Sequence, residues 1–304
     1  AGFHAERPAG SPTPDRPLYA DEWSKPEMLL ALTRFDAFAG LRPPAGVLAR
    51  LEALGGERLA RLAAQLREDV SVAGVSALVA ALLRLTGPER SEVVAETAAG
   101  VQRLGREHAP EASELEVTAH LTQRYPDDPA VLVTVLMNHV VLEPGEAMAV
   151  PAGLLHCYTG GLAVEIPGTS DNTLRAGMTA KLVDVEEVLR ITDTAAQPRL
   201  VWPGEPARGL ETFHAGVDDF ALDRICVQPG ATFTLGGGTP AIILAMDGSL
   251  HLTTPSGAGD LRRGEAVFVP AAAGPVEVSG LGEAVRARPG LPETSSTAEG
   301  ADHG

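Results

Sequence analysis

Only two lysines occur among the 304 residues, against twenty-two arginines, and each stands beside other residues that could do chemistry. An ammonium is a compact point charge and a guanidinium is a planar fork, so this usage points to places where the fork would not fit. Chance placement of two residues is the ordinary alternative. Lys25 lies two residues from Glu27 across Pro26. Proline favours an extended residue before it, which turns positions 25 and 27 to one side. A cation and a carboxylate side by side suit a site, or make a surface ion pair of little worth. His156 follows a turn at the start of a strand-like run, in LEPGEAMAVPAGLLHCYTGGLAVEI. That position serves a metal ligand or a general base, and equally a core histidine bonded to a backbone carbonyl. Glu165 and Ala163 share a face if LAVEI is a strand; a carboxylate turned inward needs a partner, a metal or a proton, and one turned outward needs none. Arg175 lies in SDNTLRAGMTAK, which Lys181 closes. A cation beside Ser, Asp and Asn can hold a sugar hydroxyl, an oxyanion or a phosphate oxygen. Loop capping by the same side chains accounts for part of that pattern.

Composition narrows the class of function. The net charge of −16 argues against nucleic-acid or anionic-membrane partners, which need clustered Lys and Arg. A small phosphorylated ligand held by a few local cations remains open. Two cysteines, Cys157 and Cys226, give neither a disulfide framework nor a cysteine-rich metal site, and a reducing, cytoplasmic setting is the expectation. No apolar run reaches membrane-spanning length. The N-terminus lacks the basic start and apolar stretch of a signal peptide. It opens directly into a proline-rich segment, which predicts a piece of a longer chain.

The elements that must position these residues fall into blocks. Residues 1–20 read as loop, and 27–42 as strands that end at Pro43-Pro44. From about 45 to 124 the period is helical, with Leu48, Leu51, Leu59, Leu62 and Leu66 on one face and Val75, Leu78, Val79 and Leu82 on another; four or five helices are expected. VLVTVLMNHVVL then reads as a strand, followed by short strands at AMAVP and LAVEI. Residues 199–289 read as short strands with Gly/Pro turns, Gly236-Gly237-Gly238 as a hairpin turn, and the polar end as a disordered tail. One repeat is visible: LEPGEAMAVPA (142–152) matches LRRGEAVFVPA (261–271) at an offset of 119 residues. Two copies of one β-unit follow, each a small barrel or jelly roll. The second copy has Pro275 where the first has His156, so it is expected to be structural. His139, His214 and His251 show no carboxylate partner by spacing and read as ordinary, as do His108 and His120.

Together the segments KPEMLLALTRFDAFAGLRP, LEPGEAMAVPAGLLHCY and VEIPGTSDNTLRAGMTAK, in this order, resemble the type I phosphomannose isomerases, with a resemblance spanning about residues 2–290. It implies a zinc-dependent aldose–ketose isomerase that interconverts mannose 6-phosphate and fructose 6-phosphate and supplies GDP-mannose synthesis. The implied fold is mainly β: two cupin-type jelly-roll barrels with an α-helical insert. The implied boundaries are 1–43 for the start of the catalytic barrel, 44–124 for the helical insert, 125–198 for the rest of that barrel, 199–290 for a non-catalytic barrel and 291–304 for the tail. Glu27 and His156 resemble zinc ligands. Arg175 resembles the essential arginine, and Glu165 an acid that moves the proton between C1 and C2. Lys25, Lys181 and Asp171 resemble substrate contacts. A monomer is implied. The family's remaining two ligands, a Gln and a His, precede its Lys-Pro-Glu segment, and the 24 residues before Lys25 hold no Gln-x-His. Ser24 stands where many members have His. A non-catalytic, sugar-phosphate-binding cupin-like protein or an inactive fragment is the alternative reading.

Overall fold

The computed structural model describes residues 2–6, 17–106, 112–204 and 209–290. They divide into two compact units, Ala1–Val164 with Thr169–Arg199, and Glu165–Gly168 with Leu200–Gly304. The expected tail, His108 and His303 lie outside the described residues.

The first unit begins with a short helix, α1 (Gly2–Glu6), where loop was expected. Strands β1 (Glu27–Ala31) and β2 (Phe35–Leu41) follow. Next come five helices: α2 (Pro44–Leu54), α3 (Glu57–Glu68), α4 (Val72–Leu83), α5 (Pro88–Arg106) and α6 (Ala112–Arg124). Pro44 opens α2 rather than breaking the chain, because the first helical turn needs no N–H from it. Ser71 caps α4, its hydroxyl accepting from the Gly74 N–H at 3.2 Å. The leucine and valine faces read from the period close into one core with Phe38 and Leu41 of β2. Ala37 and Ala39 of the same strand belong instead to a sheet core with Leu29, Met148 and Val150. So β2 is apolar on both faces, as a strand between a helical layer and a sheet must be.

VLVTVLMNHVVL corrects the strand expectation. Its first half is a helix, α7 (Ala130–Val135), and only the second half is a strand, β3 (Met137–Leu142). Every residue of α7 is buried, so no polar face marks its period. β4 (Ala147–Val150), β5 (His156–Gly160) and β6 (Ala163–Pro167) follow. A short helix, α8 (Val185–Ile191), starts at Asp184, whose carboxylate accepts from the Glu187 N–H at 3.0 Å. β7 (Arg199–Val201) and β6 each cross a boundary between the units. Within the first unit β1 pairs antiparallel with β4, and β2 lies between β3 and β5. His139 of β3 meets Asp36 of β2 at 3.1 Å, a carboxylate partner that sequence spacing did not show.

The second unit holds β8 (Leu210–Phe213), β9 (Ala221–Val227), β10 (Phe233–Leu235), β11 (Ala241–Thr254), β12 (Gly257–Arg262), β13 (Ala266–Val269) and β14 (Val276–Arg288). β11 and β14 run 14 and 13 residues, not the short strands expected. β11 pairs β13 through its first half and β12 through its second, with a bulge between Ala245 and Asp247. A Cβ at Gly248 would fall 2.1 Å from the Leu281 carbonyl oxygen, so glycine lets the backbones of the two long strands approach there. Gly236–Gly238 is no hairpin: it joins β10 to β11, and both pair with β14. His251 of β11 also gains a carboxylate, Asp260 of β12, at 2.7 Å.

The repeat is real in hydrogen bonds. Glu146 and Glu265 each accept from a backbone N–H three residues earlier, at 2.8 and 2.9 Å. Gly145 and Gly264 donate to Ala31 and Ala245, at 2.8 and 2.9 Å. The match also extends to KPEMLLA (25–31) against TPAIILA (239–245), since Glu27 pairs Val150 and Ala241 pairs Val269. β11 therefore corresponds to β1 and β2 joined. Where the first unit inserts α2 to α7 between β2 and β3, the second turns directly from β11 to β12 through Pro255-Ser256. Its equivalents of Lys25, Glu27 and His156 are Thr239, Ala241 and Pro275.

Candidate active site

Glu27 is the centre of the polar cluster in the first unit. It opens β1, nine-tenths buried, and each carboxylate oxygen faces a different partner. Oε1 is 3.3 Å from Lys25 Nζ, and Oε2 is 3.4 Å from His156 Nε2. Lys25 also donates to Thr173 Oγ1 at 3.1 Å. Burial alone pushes the Glu27 carboxyl up, but the His156 contact and the Lys25 charge outweigh it and hold the group below its ordinary value. β1 and β5 fix the two ends of this arrangement, for His156 is the first residue of β5.

His156 Nδ1 donates to the Leu154 carbonyl at 3.0 Å. A carbonyl only accepts, so Nδ1 carries the proton, and Nε2 is the atom turned to Glu27. A neutral imidazole would then present a lone pair to a carboxylate at 3.4 Å. A second proton on the ring or a cation between the two relieves that repulsion. One imidazole nitrogen oriented by a backbone carbonyl, with one carboxylate oxygen beside it, fits part of a zinc shell. Among the described residues no group of three or more His, Cys, Asp and Glu is placed to hold a metal.

A cavity of about 410 Å³ opens over the cluster, lined by Lys25, Glu27, His156, Trp23, Asn172 and Thr173 among others. Asn172 clasps the approach to Lys25. Its Nδ2 donates to the Asp21 and Trp23 carbonyls at 2.9 and 3.0 Å, and its Oδ1 accepts from the Ala20 N–H at 2.9 Å. Ser170 Oγ and the Asp171 N–H both donate to the Asp21 carboxylate. Asp171 therefore contributes its backbone here, and its side chain is exposed. Tyr19 and Arg190 form another stretch of wall. Both donate to Glu187 of α8, and burial followed by that bond pushes the Tyr19 phenol up to about 12. Sequence reasoning passed over Trp23, Tyr19, Arg190 and Asn172 as wall residues. The Ser-Asp-Asn run carried a signal for the last, but nothing in the spacing pairs it with residues about 150 positions earlier.

Arg175 and Lys181 ride on the loop after the clasp and do not line this cavity. Arg175 donates to the Thr173 carbonyl at 3.4 Å, and Lys181 is exposed. Glu165 lies on β6 in the second unit and is exposed. The loop has a fixed anchor. Asp128 accepts from the Met178 N–H at 2.6 Å and from the Ala130 N–H, at the start of α7, at 3.0 Å. Met178 has φ +52°, uncommon for a side chain of its size. A Cβ at Gly177 would lie 2.5 Å from Ala130 Cβ and 2.7 Å from Asp128 Oδ1. Gly177→Ala is therefore expected to cost about 1–3 kcal/mol in thermal unfolding. Gly105→Ala, in α5 with open space around it, is the control and is expected to hold or slightly raise stability. An unchanged Gly177→Ala protein would show that the anchor gives way freely.

Known proteins resemble this chain in sequence and fold. The family model described as "Mannose-6-phosphate isomerase, cupin domain" matches residues 210–289. The mannose-6-phosphate isomerase of Escherichia coli (strain K12) is 31% identical over 288 residues, covering 94% of this chain and 71% of that protein. The Bos taurus enzyme of the same name is 31% identical over 271 residues, covering 83% and 64%. Among solved structures, a point mutant of phosphomannose isomerase from Salmonella typhimurium superposes with a TM-score of 0.82 at 29% identity, covering 95% of this chain and 72% of that one.

Proposed function

Because the chain belongs to the mannose-6-phosphate isomerase family, we propose that it interconverts mannose 6-phosphate and fructose 6-phosphate, with Glu27 and His156 supplying part of the shell of a zinc ion. The observation that carries this is the meeting of Lys25, Glu27 and His156 on one cavity wall, although some 130 positions separate the ends of the set. Zinc, when bound, polarises sugar oxygens and stabilises the negative charge that develops on them as a proton leaves the carbon. The chain's own residues do the rest. Lys25 is a fixed cation beside the ligand carboxylate, placed to hold a substrate oxygen. The Asn172 clasp keeps its approach rigid. The Leu154 carbonyl fixes the orientation of His156. Arg175 and Glu165 are the cation and the acid that the family resemblance offers for the charged oxygen and for the C1–C2 proton, and Lys181 and Asp171 are its further substrate contacts. Both units are read as cupin-type barrels, which their common strand plan supports; the second lacks all three polar equivalents and serves as structure. Supply of mannose phosphates to GDP-mannose synthesis in the cytoplasm is the role this activity implies. Among the described residues no single helix is long and apolar enough to cross a membrane.

The test is conversion of mannose 6-phosphate with and without a chelator. Turnover lost on chelation and restored by zinc is expected. Metal-independent turnover, or none in the presence of zinc, overturns the reading. A protein that binds sugar phosphates without catalysis is the second reading, since Lys25 and Thr173 on the cavity wall would serve binding alone equally well. Metal analysis separates the two: about one zinc per chain supports the enzyme, and none supports the binder.

A further inference from the structure

The geometry points to Trp23 as the surface on which the sugar ring stacks, an inference that rests on the sugar-phosphate reading above and adds a specificity residue to it. Trp23 lines the same cavity as Lys25, Glu27 and His156, and its side chain is 67% exposed. Leaving an indole in water forgoes the burial that makes tryptophan worth having in a core. The chain is sparing with aromatics, which make up 4% of its residues, and has only two tryptophans. One of them nevertheless stands at the mouth of the polar cavity.

Its backbone is held on both sides. The Trp23 N–H donates to Asp21 Oδ1 at 2.9 Å, and its carbonyl accepts from Asn172 Nδ2 at 3.0 Å and from Ser170 Oγ at 3.4 Å. A ring left 67% exposed among the described residues, on a pinned backbone, is a preformed contact surface, because little chain entropy remains to be lost when something lies against it. The two-residue spacing of Trp23, Lys25 and Glu27 brings a flat apolar face, an ammonium and a carboxylate to one wall. That set complements a phosphorylated hexose. The ring presents C–H bonds to a flat surface, and its hydroxyl and phosphate oxygens need charged and hydrogen-bonding partners. Lys25 and Thr173 supply the polar side, and Trp23 supplies the apolar one.

In a Trp202→Phe background Trp23 is the sole indole, and its fluorescence reads the contact directly. Mannose 6-phosphate is expected to shift or quench the emission saturably, and inorganic phosphate at the same concentration is expected to leave it unchanged. Trp23→Ala should raise KM about tenfold with kcat within about twofold, the signature of binding lost equally from ground and transition states. Trp23→Phe should recover most of that loss. Emission that stays flat to about 10 mM mannose 6-phosphate, above the usual KM range, overturns the inference. So does an equal response to inorganic phosphate, or an unchanged KM in Trp23→Ala. Turnover is the separate reading: a shift in emission without isomerisation keeps the stacking and removes the isomerase, and normal turnover with flat emission does the reverse.

Discussion

Glu27→Gln is expected to lower kcat/KM by about a thousandfold, the size of losing several kcal/mol of transition-state charge stabilisation. Glutamine keeps the shape of the side chain and removes its charge. Two contacts fail together. Lys25 Nζ, 3.3 Å away, loses its counter-charge, and the oxygen facing His156 Nε2 at 3.4 Å becomes part of a neutral amide that binds a cation weakly. On the proposed zinc reading, the same variant should retain little of the metal that the parent binds. Its stability should fall modestly, because the contacts with His156 and Lys25 that outweigh the cost of burying the carboxylate are lost together with that cost. Activity within about tenfold of the parent, at full zinc content, would remove Glu27 from the metal site. Loss of the thermal transition would instead make it a folding residue.

How much of this was legible follows from the range of each signal. α3 was readable because it sets a leucine face against charged residues, and α4 because Val75, Leu78, Val79 and Leu82 recur at helical spacing. α7 was not, because it is buried all round and no polar face marks its period. The repeat was half legible. LEPGEAMAVPA finds its partner at one offset, but KPEMLLA finds its own at another, because the first unit inserts its helices between the two segments and the second does not. The carboxylate partners of His139 and His251 depend on strand register, which spacing along the chain does not encode. The meeting of Glu27 with His156 was open on residue type alone, where a core histidine was the ordinary alternative. The family's motif order suggested it, and the contact between β1 and β5, which lie in different sheets, supplies the distance. Loop residues behave differently again. Ser170, Asp171 and Asn172 read as cappers or as ligand contacts, and Asn172 both clasps residues 20–23 and lines the cavity.

Asp223→Ala should destabilise the second unit by about 3–5 kcal/mol, the cost of stranding buried charge. No motif announced this residue. Asp223 on β9 is fully buried, directly opposite Arg286 of β14 on one side and Thr212 of β8 on the other. Arg286 Nε donates to Oδ2 at 2.6 Å, Arg288 Nε to the same oxygen at 3.0 Å, and Thr212 Oγ1 to Oδ1 at 2.7 Å. The two guanidiniums are 3% and 8% exposed, so water cannot replace the lost carboxylate. For a unit of this size about 4 kcal/mol moves the midpoint down by roughly 15 °C or more. Because the chain has two units, thermal scans should show which transition moves, and only the one belonging to residues 200–290 should. Replacing all three charges together, as Asp223→Leu with Arg286→Met and Arg288→Met, should return most of the loss, since apolar side chains of similar volume pack where an ion triad stood. A single Asp223→Ala change costing under about 1 kcal/mol would mean the arginines find other partners. A triple variant as unstable as the single one would mean that the carboxylate matters for its geometry between β8, β9 and β14 rather than for its charge.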